Sequence, residues 1–325
     1  MIAEKIAEWA KLEGFRTFHD VRTRLSIADL VKKADRCGLY CLAFQNEEAY
    51  IGLSVDIAKR FGQHRLYHTD IAAIAVKPFA KPGLDSEETR LIGSAERGGL
   101  LLRNFSKASF VRGETDFDLL VPPPAQQAWL HGTNAGFDTS FRVNDEALRR
   151  KKRRQAALVL SHPPGMVVIK LFRQFIFQCI PEPLRTESAY WSVSLTPATN
   201  AGAIWRINVN WQEVGILLHF EEGFTACFQV RKSLLDTSAI ADALPEVELA
   251  EFAYRPGGAD QIRVCIDDDH SGSKIGRLLE MAAFQCAMKP LVLDLMRKGP
   301  NNFASSHCFQ LVDAALVAIA EPVHT

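Results

Sequence analysis

Residues 38–105 switch hydrophobic period repeatedly, and that switching constrains the fold more than any other feature of the chain. Two short apolar-aromatic runs, at 39–44 and 49–53, flank the polar Gln45-Asn46-Glu47-Glu48, the pattern of a β-hairpin. Asp56 then caps a helix running through about Leu66. Residues 71–79 read as a third strand, Pro82-Gly83 as a turn, and Asp85-Ser86 as the cap of a helix carrying Leu91 and Ile92. Gly98-Gly99 closes that helix, and 100–105 is a short extended piece. This order fits an α/β (α+β) fold, a small mixed sheet flanked by helices.

The chain is 325 residues long, which predicts about two domains. Ile2, Ile6 and Trp9 mark an amphipathic helix over 2–12, and Ser26-Ile27-Ala28-Asp29 predicts a second helix ending near Gly38. A first domain over 1–120, a Pro-rich linker over 121–143 and a second α+β domain over 144–325 follow from the composition breaks. The second domain opens with a predicted helix over 144–161. It continues through an apolar segment at 165–180, strands at 189–196, 203–210, 214–220, 224–231 and 261–266, and helices near 275–298 and 304–320.

Apolar residues make up 47% and charged residues 23%, which argues against disorder, and 38 cations against 38 anions exclude a global basic field. A polyanionic partner must therefore meet a local patch. The run Arg149-Arg150-Lys151-Lys152-Arg153-Arg154 is the candidate, with a solvated helix as the plainer alternative. No apolar stretch reaches the length of a membrane span, and no secretory pattern is present, so a soluble, cytoplasmic chain is expected. Seven scattered cysteines without a CxxC pair predict neither a disulfide framework nor a zinc finger. Asp267-Asp268-Asp269-His270 reads as a solvated turn rather than a metal site.

Chemistry concentrates in the hairpin and the elements after it. Gly38-Leu39-Tyr40 lies on the first strand and Tyr50-Ile51-Gly52 on the second, so both rings can reach one face of one sheet. Arg60 and His64 are i, i+4 on the next helix and project together. Glu88 leans toward the apolar side of its helix, and Asn104 ends the closing segment. This stretch, about residues 25–106, resembles the GIY-YIG nucleases. The first motif stands as Gly38-Leu39-Tyr40 and the second as Tyr50-Ile51-Gly52. Arg60 and His64 follow Tyr50 by ten and fourteen positions, as in the family.

The resemblance implies a metal-dependent endonuclease acting on DNA, with RNA left open. Tyr40, Tyr50, Arg60, His64, Glu88 and Asn104 would be its site residues. Glu88 would hold one Mg²⁺ or Mn²⁺, a hard ion suited to a single carboxylate and several waters. Arg60 would clamp non-bridging phosphate oxygens. Tyr40, positioned by Tyr50, would take or orient the proton of the attacking water, which a free phenol of pKa near 10 does poorly without help. His64 would assist, and Asn104 would fix either the DNA backbone or the Glu88 helix. Lys59 and the 149–154 cations would contact nucleic acid, and the second domain would bind the target, regulate or oligomerise. Each residue also has a plainer reading. Tyrosines are common in strands, and Glu88 sits where the N3 partner of an Asp85 capping box would. The rival function is a non-catalytic nucleic-acid-binding or protein-interaction module on the same scaffold.

Overall fold

The computed structural model describes residues 3–104, 115–132, 140, 142–161, 164–196 and 202–317. The chain divides into two compact units, Met1–Arg112 and Gly113–Thr325.

In the first unit, helix α1 (Glu4–Leu12) precedes a five-stranded sheet formed by β1 (His19–Asp20), β2 (Gly38–Phe44), β3 (Glu48–Ser54), β4 (Ile71–Pro78) and β5 (Leu101–Leu102). The order is β1-β4-β2-β3-β5, antiparallel throughout except for the parallel β3–β5 pair. Strand β2 is central and buried along its whole length, which explains why its sequence is a continuous apolar run rather than an alternation. Leu39, Cys41 and Ala43 face a layer built by α1 and α3 (Leu84–Arg97), with Ile6, Trp9, Leu91 and Ile92. Tyr40, Leu42 and Phe44 face α2 (Ile57–Tyr67), with Ile57 and Phe61. Burial pushes the Cys41 thiol up to about 12, so it packs as a small apolar residue.

The predicted helix from Ser26 to Gly38 does not form. The segment is turns followed by a single 3-10 turn, Lys33–Asp35. Ile27 and Val31 still enter the α2 layer, so the apolar spacing read as a helix serves a loop folded over the core.

The second unit begins earlier than the composition suggests. Phe117 of α4 (Asp116–Leu120) and Trp129 of α5 (Pro123–Leu130) lie in its core, so Pro122-Pro123-Pro124 is not a linker. Proline at the first helical position lacks only a donor that would go unused there, and the Pro-rich run starts a helix. The predicted helix 144–161 is broken into α6 (Glu146–Arg150) and α7 (Arg153–Ser161) by a turn at Lys151 and Lys152.

Helix α8 (Gly165–Cys179) then leads into a six-stranded antiparallel sheet. Its strands are β6 (Trp191–Leu195), β7 (Ala203–Val209), β8 (Gln212–Phe220), β9 (Gly223–Val230), β10 (Glu248–Ala250) and β11 (Ile262–Asp268). Helices α9 (Thr237–Ala243), α10 (Ser273–Glu280), α11 (Ala282–Arg297) and α12 (Phe309–Val317) complete the unit. The predicted single helix over 275–298 is thus two. Phe175 of α8 stacks on Phe228 of β9 at 5.6 Å between ring centres, and Phe284 of α11 meets Phe228 edge-on at 5.4 Å. Trp191 and Trp205 are buried in the same core, while Trp211 is exposed.

Cys227 and Cys265 oppose each other across β9 and β11 and are joined in a disulfide. One bridge is not the disulfide framework that the scattered cysteines argued against, and only the strand register brings together its two residues 38 positions apart. Among the described residues no single helix is long and apolar enough to cross a membrane.

Candidate active site

Strand pairing sets Tyr40 opposite Gly52 and Leu42 opposite Tyr50, so both tyrosines lie on the α2 face of the sheet. Gly52 makes room for the first of them. A Cβ there would stand 2.4 Å from both Cζ and the hydroxyl of Tyr40. The Tyr40 ring therefore crosses β3 over a residue with no side chain and carries its hydroxyl toward the strand's outer edge. Gly38 answers a second constraint. Its φ is +157°, and a Cβ would meet the Lys77 carbonyl at 2.2 Å, so glycine lets β2 start tight against β4.

Helix α2 supplies the next groups. Asp56 caps it, accepting from the Lys59 amide at 3.2 Å, as expected from the sequence. Ile57 and Phe61 anchor its apolar side to the sheet, which turns His64 and Arg60 toward the tyrosines. Tyr40 Oη and His64 Nε2 are 2.8 Å apart, and the His64 ring also packs on Tyr50 at 4.8 Å between centres. Arg60 donates to Gln63 at 2.9 Å and stays exposed, close enough to the tyrosines that its charge and theirs act on one another. Lys59 is exposed beside it.

Glu88 comes from the other layer. Helix α3 starts at Leu84, after Gly83 in the left-handed conformation, so Glu88 lies a full turn inside and is not the N3 partner of an Asp85 capping box. It is 8% exposed, and its carboxylate accepts from the Leu53 amide at 3.1 Å, on β3 next to Gly52. Strand β5 pairs with β3 only at Glu48 and Ala49, which leaves the edge at residues 51–53 to side chains. Glu88 takes Leu53. Asn104 takes Ile51, accepting from its amide at 2.9 Å and donating to its carbonyl at 2.5 Å. Both ends of the Asn104 amide are thus engaged with strand backbone. Asn104 extends the sheet edge by one rung beside the residue that Glu88 holds.

The electrostatics arise from this packing. Burial first, and then Tyr50, push the Tyr40 hydroxyl upward, with Glu88 adding to the rise and Arg60 opposing it. Tyr50 shifts the same way, from burial and then Glu88. Burial and the neighbouring Arg60 and His68 lower His64 to about 4. At neutral pH the cluster therefore holds protonated phenols beside a neutral imidazole, which leaves Nε2 able to accept from Tyr40.

Glu88 offers a single, largely buried carboxylate, a hard oxygen donor. It fits one Mg²⁺ or Mn²⁺ ligated by Glu88 with water completing the shell. Among the described residues no three His, Cys, Asp or Glu side chains gather to hold a metal, so the fit is to a one-carboxylate site and not to an all-protein cage. The acidic turn at 267–270 is mostly engaged locally, with one oxygen of Asp268 left buried and without a hydrogen-bond partner. Asp267 accepts from Thr225, Asp268 from the Ile275 amide, Asp269 from the Ser271 amide, and His270 Nε2 lies 3.1 Å from the Glu221 carbonyl.

In the second unit the basic run is partly engaged. Arg149 binds Asp313 and Arg150 pairs with Glu146, while Lys151, Arg153 and Arg154 are exposed and Lys152 is half-buried. Sequence reading missed a buried cluster nearby. Arg142 binds Glu187 at 2.6 Å, and Glu187 lies 3.1 Å from His307 Nε2, while His307 Nδ1 accepts from the Val193 amide. Those residues are scattered over 165 positions, and no local spacing signals them.

Comparison with protein-family models, curated proteins and solved structures returns no match. The functional reading therefore rests on the residues and their geometry.

Proposed function

We propose that this protein is a metal-dependent endonuclease of the GIY-YIG type, hydrolysing DNA phosphodiester bonds at the site around Tyr40. The observation that carries the reading is the contact of His64, from the helix that also bears Arg60, with the hydroxyl of Tyr40 and the ring of Tyr50, from two strands. A structural role would bury such groups or spread them. Here Arg60 stays exposed while Tyr40 is buried and Tyr50 half-buried.

Glu88 would hold the divalent ion, which supplies Lewis-acid polarisation of the phosphate and stabilises the leaving 3′ oxygen. Arg60, exposed beside the tyrosines, binds non-bridging oxygens, where the planar fork suits the geometry. Attack by water requires loss of its proton. Tyr40, whose own proton is tightly held, takes that proton on Oη as it passes the phenolic proton to Nε2 of His64. The low proton affinity of His64 keeps the imidazole neutral and ready, and an incoming phosphate anion raises it during reaction. Tyr50, packed against both rings, holds this pair in line. Asn104 and Gly52 keep the β3 edge in register with Glu88.

Supercoiled plasmid incubated with Mg²⁺ or Mn²⁺ tests the reading. Nicking by the wild type that is lost in both Arg60→Ala and Glu88→Ala is the expected result. Metal-independent binding without cleavage, equal in all three proteins, would replace this reading with that of a non-catalytic binding module.

A further inference from the structure

Arg149, Arg150 and Arg153 line one cavity of about 550 Å³ in the second unit, together with Asn144, Glu146 and Gln310. We infer that this cavity seats a backbone phosphate of DNA, an occupant that rests on the endonuclease reading for its identity.

Six adjacent cations on one continuous helix would point in all directions. The turn at Lys151 and Lys152 prevents that, because it folds the end of α6 and the start of α7 around the same hollow. Arg149 forms the fixed wall. It donates to both oxygens of Asp313 at 2.6 Å and to the Val143 carbonyl at 3.2 Å, with its guanidinium 5.3 Å from the Phe309 ring centre. The other two arginines remain available. Arg150 pairs with Glu146, but both side chains are mostly in water, where such a pair contributes little and yields to a phosphate. Arg153 is exposed and has no acidic partner among the described residues.

Planar guanidinium groups match phosphate oxygens two at a time. Three more cations, Lys151, Lys152 and Arg154, adjoin these arginines along the chain. A single small anion would satisfy one position only, whereas a chain of regularly spaced charges engages several and releases counterions from each. A nucleic-acid backbone is such a chain.

The full-length protein in EDTA, titrated against a fluorescent DNA duplex at several salt concentrations, tests this. Replacing Arg150 and Arg153 together by alanine should weaken binding roughly tenfold and make the slope of log affinity against log salt shallower by about 2, near one per lost phosphate contact. Replacing both by lysine should keep the slope. An unchanged slope in the alanine pair overturns the inference, as does equal competition by polyglutamate at matched charge, which would mean any acidic polymer fills the cavity. Should the alanine pair misfold by circular dichroism, Arg153→Ala alone decides, with a slope shallower by about 1 or not. Wild-type protein that never nicks plasmid yet shows these slopes would sink the endonuclease reading and leave the phosphate seat standing.

Discussion

Nε2 of His64 lies 2.8 Å from the hydroxyl of Tyr40, because the helix that carries His64 packs on the sheet face to which β2 presents Tyr40. Burial raises the proton affinity of the phenol and lowers that of the imidazole, so a phenolate is not the resting base. The proton must move through the pair. Tyr40→Phe keeps the ring over Gly52 and removes the relay, so nicking should fall by about 10²–10⁴-fold, the usual share of positioned proton transfer. Duplex binding should change less than threefold. Plasmid nicking and anisotropy on the same preparation check both.

Gly52 tests whether that ring position matters. An alanine Cβ would lie 2.4 Å from Tyr40, which must then leave its place or push β2 and β3 apart. Gly52→Ala should cost about 1–3 kcal/mol of stability, as overpacking does, and should abolish nicking. Combined with Tyr40→Ala, which removes the clashing ring, the same change should cost far less. A double-mutant cycle by urea unfolding measures the coupling.

These two positions also show what a reader of the sequence could see. Tyr40, Gly52 and Tyr50 belong to adjacent strands joined by a short turn, so period and spacing alone place them on one face. Arg60 and His64 join them because Asp56 fixes where α2 starts. Legibility fails where partners are distant or where a residue serves two patterns. Asp85 looks like a helix cap, yet the left-handed Gly83 starts α3 earlier and moves Glu88 out of the capping position. Ile27 and Val31 have helical spacing, yet a loop buries them equally well. Pro122 to Pro124 carry linker composition, yet proline is also what a helix start tolerates. The Cys227–Cys265 bridge and the Asn104–Ile51 rung depend on strand register, which no local signal encodes.

Asn104 yields a prediction of its own. It is 6% exposed, and replacing its amide leaves the Ile51 amide and carbonyl without partners on the open edge of β3. Asn104→Ala should cost about 2–3 kcal/mol, the range for stranding buried polar groups. Asn104→Asp should cost a similar amount, because a carboxylate cannot donate to the carbonyl. Urea unfolding compares the two. A large loss in the alanine variant with none in the aspartate variant would mean that the donated bond carries nothing.

The low proton affinity of His64 has a consequence for stability that activity does not report. Its pKa is about 6.5 when free and about 4 in the folded chain, so between those values the unfolded state binds more protons than the native one. Stability from this residue is therefore complete above about pH 6.5 and is lost as pH falls toward 4, the sign expected of a depressed group. Allowing for solvent screening of a half-buried ring, the loss amounts to about 1–2 kcal/mol. Hydrogen–deuterium exchange of peptides covering Ile57–Tyr67 should show protection declining across that window in the wild type. His64→Gln carries no titrating group and should flatten the decline while leaving the Asp56 cap intact. A decline of equal size in both proteins would assign the pH dependence to other groups and would leave the neutral imidazole, on which the Tyr40 relay depends, without support.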